Sequence, residues 1–108
     1  MISASFIFSP GNYDEEFHAL DGKIEAFASS LSGFIGVDRW VSEDGKSRNS
    51  IYYFDGMDSV KELSRYPEHL VAKENYRKWY LGYQIVVAEV VGSYGDGYFN
   101  HPSQPRQA

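Results

Sequence analysis

The sequence predicts an α+β fold of the ferredoxin-like βαββαβ kind, an antiparallel sheet with helices on one face. Three observations lead there. Apolar residues alternate along several separate stretches. Between them, apolar residues recur at three- and four-residue steps, as on helices. One Asp44-Gly45 pair joins the two middle strands as a hairpin.

ISASFIFS at 2–9 is the first strand, with Ile2, Ala4, Phe6 and Phe8 on one side and Ser3, Ser5, Ile7 and Ser9 on the other. SPGN at 9–12 ends it, because Pro10 lacks a donor and Gly11 permits a turn. From Asp14 the period changes. Phe17, Leu20, Ile24, Phe27, Ala28 and Leu31 trace one helical stripe, with Asp14, Glu15 and Glu16 at the positive end of the helix dipole and Gly33 as the expected cap. The acidic surface of residues 14–25 reads as a solvated face.

FIGVDRWV at 34–41 and NSIYYF at 49–54 are the hairpin strands. In the first, Ile35, Val37, Arg39 and Val41 share one face, and Phe34, Gly36, Asp38 and Trp40 the other. A second helical region follows FDGM, capped by Asp58 or Ser59 and interrupted at Pro67, which can open the next helix. YQIVVAEVVGSY at 83–94 returns to strand alternation, and GDGYFNHPSQPRQA at 95–108 reads as an extended or mobile tail. The chain therefore divides into a domain at 1–94 and a tail at 95–108.

Its 108 residues suffice for one domain. Aromatics make up 17%, enough ring area to line a cavity or an interface as well as a core. A formal charge of −5 disfavours a nucleic-acid footprint, which needs a concentrated positive field. The absence of cysteine excludes disulfides and thiolate chemistry and suits a reducing, cytoplasmic setting. The start lacks a secretory pattern, and no stretch is long and apolar enough to span a membrane. Both faces of the predicted strands carry apolar side chains. A single helical layer covers one face only, so the other is expected to pack on a second copy in a homodimer.

GFIGVDRW at 33–40 and SIYYFDGMDSVKELSRYPEHLVAKENYRKWYLGYQIVVAEVVGSY at 50–94 resemble the antibiotic biosynthesis monooxygenase-like domains, most specifically through GFIG, PEHLVA and KWY. The resemblance implies a dimeric α+β barrel, with a cavity in each subunit between sheet and helices. It also implies functions that range from cofactor-free oxidation of phenolic polyketides to haem degradation, isomerisation and decarboxylation. Quinone-forming members carry Asn and Trp early in the second helical region, where this chain has Val60, Leu63 and Ser64.

His69 is the leading catalytic candidate. It shares a helical face with Arg65, Lys73 and Tyr76, and an imidazole can exchange a phenolic proton near neutrality. Its alternative role is to build the helix start after Pro67. Tyr76 is the second catalytic candidate. Trp40 and Tyr53 are expected, with Tyr76, to wall an aromatic site, unless they pack the core or the dimer. Arg39 is placed to hold a phenolate or carboxylate, or to pair with an acidic neighbour. Asn12 is a polar candidate at the cavity mouth, and Trp79 and Tyr80 read as packing.

No cofactor or metal is expected. His18, His69 and His101 are dispersed, and the GDG at 95–97 lacks the setting of a phosphate loop. Three functions stay open on these residues. The first is a cofactor-independent monooxygenase acting on a phenolic or polycyclic aromatic metabolite. The second is a lyase, isomerase or cyclase using the same proton-transfer groups. The third is a noncatalytic dimer that binds a small hydrophobic ligand.

Overall fold

The computed structural model describes residues 1–104. In chain order the elements are β1 (Ile2–Pro10), α1 (Glu15–Ser30), β2 (Phe34–Val41), β3 (Arg48–Phe54), α2 (Met57–Arg65), α3 (Pro67–Glu74), α4 (Tyr76–Trp79) and β4 (Tyr80–Glu89). The strands form one 4-stranded antiparallel sheet in the order β2-β3-β1-β4. This is the ferredoxin-like α+β arrangement that the alternation predicts.

The register follows from the two-residue period of a strand. Ala4 lies between Tyr52 and Val87, and Phe6 between Ser50 and Ile85. Together with Phe8 and Tyr83 these residues form the row beneath the helices. Ser5 lies between Ile51 and Val86, and Ile7 between Asn49 and Gln84, on the opposite face. β2 carries an irregularity between Phe34 and Gly36. Phe34 consequently pairs with Phe54, its ring 6.1 Å away, and does not share the face of Gly36, Asp38 and Trp40 as simple alternation requires. The Asp44-Gly45 turn forms as expected, with Gly45 at φ 74°, a value that favours glycine.

Asp14 starts α1 by accepting the Phe17 N–H at 2.8 Å. The same Oδ1 accepts the indole N–H of Trp79 at 3.0 Å, tying the first turn of α1 to the end of α4. Trp79 and Phe54 are fully buried and anchor the core. α1 ends at a Leu31 cap and not at Gly33, because the Leu31 N–H already closes onto Ala28 O. α2 begins two or three residues earlier than an Asp58 or Ser59 cap requires. Gly56 is its N-cap, Asp58 lies in the first turn, and Ser59 is buried. Pro67 opens α3 after an extended Tyr66, whose ring stacks on Phe27 at 4.1 Å. β4 starts at Tyr80, directly after α4.

Beyond β4, residues 90–104 contain turns but no helix or strand, and they return across the nonhelical face. His101 Nε2 lies 2.9 Å from Asp38 Oδ2, which also accepts the Trp40 indole N–H at 2.7 Å. The Ser103 N–H reaches His101 Nδ1 at 3.1 Å, so that nitrogen accepts and Nε2 is the one that donates to Asp38. Pro102 lies on Gly36, where a Cβ would stand 3.0 Å from the proline ring. The part of the expected tail at 105–108 lies outside the described residues.

Candidate functional site

Between the sheet and the helices lies a cavity of about 260 Å³. α1 contributes Asp21, Ile24 and Ala28, and α2 contributes Val60, Leu63 and Ser64. α3 and α4 add His69, Ala72, Lys73 and Tyr76, while Ala4, Phe6, Tyr52, Tyr80, Tyr83, Ile85 and Val87 form the sheet side. The site is thus an apolar space with a small set of convergent polar groups, the usual character of a small-molecule pocket.

His69 reaches the cavity because Pro67 begins a new helix two residues before it. The His69 backbone N–H bonds to Tyr66 O at 3.0 Å, leaving the ring directed inward. Its Nδ1 is buried and has no hydrogen-bond partner among the described residues. Burial, and then the Lys73 ammonium one turn on, hold its pKa below the ordinary histidine value. The imidazole is therefore neutral at pH 7 and free to accept a proton.

Tyr80 and Tyr52 are not competing bases. Burial pushes Tyr80 far above the usual phenol range and raises Tyr52 as well, so both present neutral hydroxyls. Tyr80 packs edge-on to Phe6 at 5.5 Å. Tyr76 meets Tyr83 edge-on at 4.9 Å, and its hydroxyl accepts from Arg77 Nε at 3.1 Å. These contacts fix the walls against which a flat ring could stack.

The structure brings together two of the residues proposed from sequence, His69 and Tyr76. It separates three others from the cavity. Trp40 and Tyr53 lie on the opposite face of the sheet, which corrects their assignment to the aromatic wall. Tyr53 is buried beneath His101, whose ring stands edge-on at 5.3 Å, and Trp40 bonds to Asp38. Arg39 faces the helices but pairs with Glu25 at 2.6 Å and approaches the Tyr52 hydroxyl at 3.4 Å. It orients a wall residue from outside and does not line the space. Asn12 is exposed and outside the lining.

Sequence reasoning missed Asp21, Tyr52, Tyr80 and Tyr83. Tyr52 was readable as facing away from Tyr53, but only the pairing with Ala4 reveals which face meets the helices. Asp21, expected on a solvated surface, stands at the cavity mouth, exposed on its outer side. Burial of the rest, and then Glu25, raise its pKa. Val60, Leu63 and Ser64 line the cavity where the resemblance places Asn and Trp. Among the described residues no three His, Asp or Glu side chains converge as a metal site.

SnoaB, a cofactor-independent oxygenase from Streptomyces nogalater, superposes with a TM-score of 0.66 at 15% identity, over 85% of this chain and 94% of its own. A proposed antibiotic biosynthesis monooxygenase from Nitrosomonas europaea gives 0.63 at 11% identity, over 85% of this chain and 100% of its own. The chain shares the ferredoxin-like fold of these proteins. In sequence, the chain is 33% identical over 69 residues to YqjZ of Bacillus subtilis, an uncharacterized protein. That match spans 63% of this chain and 60% of YqjZ. No protein-family model matches the chain. Among the described residues, no helix is long and apolar enough to cross a membrane.

Proposed function

We propose that the protein is a cofactor-independent monooxygenase that converts a small phenol to a quinone. The observation that carries this reading is His69 itself, which lines an aromatic-walled cavity and whose buried Nδ1 has no hydrogen-bond partner among the described residues. The fold it shares with a cofactor-independent oxygenase supports it by analogy.

Cavity size bounds the substrate. A dry cavity of about 150 Å³ accepts one benzene ring, so 260 Å³ suits one ring or two fused rings. Acidity bounds it further. A simple phenol titrates near ~10, too high to yield its proton readily to a histidine held below its ordinary value. The substrate is therefore a phenol acidified by an electron-withdrawing substituent, and Lys73 stabilises the phenolate as it forms.

In this scheme His69 takes the hydroxyl proton, and the electron-rich ring passes one electron to oxygen. Recombination at ring carbon gives a peroxide, which regains the proton from His69. Loss of the ring C–H proton and cleavage of the O–O bond then yield a quinone carbonyl and one water. Phenol plus oxygen becomes quinone plus water, with no further reductant. The apolar walls hold water away from the intermediate.

We place the reaction in a homodimer and in the cytoplasm. The homodimer is supported by the face opposite the helices, where Val86 and Ile7 remain exposed, and light scattering should give about twice the 12.3 kDa chain mass. The cytoplasmic address is supported by the cysteine-free composition.

The functional test supplies acylated phenols and naphthols with and without oxygen. One oxygen consumed per quinone formed is expected, with His69→Gln at least about tenfold slower. Turnover that proceeds equally without oxygen would make the protein an isomerase or lyase, and binding without turnover would make it a ligand carrier.

A further inference from the structure

The cavity mouth carries two opposite charges on different helices, Asp21 on α1 and Lys73 on α3. Lys73 is accounted for by the phenolate. Asp21 is not. Arg39 and His18 both act on its charge from a distance, but Arg39 is engaged by Glu25 at 2.6 Å, and among the described residues the ion pairs are Arg39–Glu25 and His101–Asp38. Glu25 adds like charge beside Asp21, while Tyr52 and Tyr80 face the same space as neutral hydroxyls. A carboxylate beside an apolar cavity, without a cation of its own, is an acceptor awaiting a donor.

We propose that Asp21 selects ligands bearing a second hydrogen-bond donor, a hydroxyl in particular, besides the acidic hydroxyl that meets His69. This rests on the cavity being the ligand site, and it narrows the substrate class to dihydroxylated one- or two-ring aromatics. Asp21 is a specificity residue in this account and takes no part in the oxidation. A monohydroxylated ring leaves its carboxylate partly desolvated and unpaired, whereas a diol gives it a charge-assisted hydrogen bond.

Calorimetry with 2-naphthol and a set of dihydroxynaphthalene isomers tests the inference in the full chain. At least one diol should bind about tenfold more tightly than 2-naphthol to the native protein, the scale of one hydrogen bond to a charged group. In Asp21→Leu that preference should vanish, because the diol loses its acceptor and 2-naphthol no longer leaves a carboxylate unpaired. Asp21→Asn, which keeps the shape and loses the charge, should reduce the preference several-fold, and it decides the matter if the leucine variant does not fold. Equal affinity for all probes, or a diol preference that survives loss of the carboxylate, overturns the inference and leaves the cavity reading intact. Binding of no probe at millimolar concentration overturns both.

Discussion

Tyr52 and Tyr53 are consecutive in β3 and face opposite sides of the sheet, Tyr52 into the helix-covered cavity and Tyr53 beneath His101 of the returning C-terminal segment. Removing each ring should therefore have a different consequence. Tyr52→Leu should weaken 2-naphthol binding roughly five- to tenfold, the value of a lost aromatic contact and hydroxyl. Tyr53→Leu should leave that affinity within about twofold. Calorimetry on the two variants checks the assignment, and the reverse pattern would put the ligand on the other face.

The C-terminal segment depends on the same face. His101 is held by Asp38 and Ser103, and Asp38 also holds Trp40. His101→Ala should speed amide exchange across residues 93–104 by about tenfold or more and leave exchange in β1 unchanged. Unaltered exchange in the segment would mean that the His101–Asp38 contact does not secure it.

Core stability should respond most sharply at Trp79, which is 1% exposed and shares Asp14 Oδ1 with the Phe17 N–H. Trp79→Phe removes buried ring volume and one hydrogen bond, and should cost about 2–3 kcal/mol. Asp14→Ala removes the helix cap as well as the indole's acceptor and should cost about 1–2 kcal/mol. Because the two share a hydrogen bond, the double variant should cost less than the sum. Urea unfolding midpoints at unchanged slope measure all three.

His69 should leave a signature in the pH dependence of stability. The folded protein holds its pKa below the unfolded value near ~6.5, so the unfolded chain binds more protons in the window beneath that value. Stability is thus fully present above the unfolded pKa and falls as pH drops toward the folded one. His69→Gln removes this linkage, so its unfolding free energy should fall less steeply between pH 7 and pH 5. Parallel profiles for the native protein and the variant would show that His69 titrates as an exposed residue does.

Most of the fold was legible because it depends on local periods. Strand alternation, the Asp44-Gly45 turn and the Pro67 break each act within a few residues. The parts that were not legible depend on pairing between distant residues. The β2 irregularity appears only when Phe34 is set against Phe54, and the docking of His101 on Asp38 joins positions 63 apart in sequence. The site divides along the same line. His69 and Tyr76 were found together because one helical spacing runs through both in the sequence, although α3 ends at Glu74 and Tyr76 opens α4. Tyr52, Asp21 and Tyr80 meet them only because β3, α1 and β4 converge on one space.

Nitrogen NMR of the labelled His69 imidazole measures most directly whether this side chain is the cavity's proton acceptor. In the free protein the His69 nitrogens should titrate below the ordinary histidine value, as burial beside Lys73 requires. Saturation with an acidified naphthol should then shift the Nδ1 resonance toward that of a protonated imidazole. Ordinary titration, together with an Nδ1 signal unmoved by saturating ligand, would contradict the account.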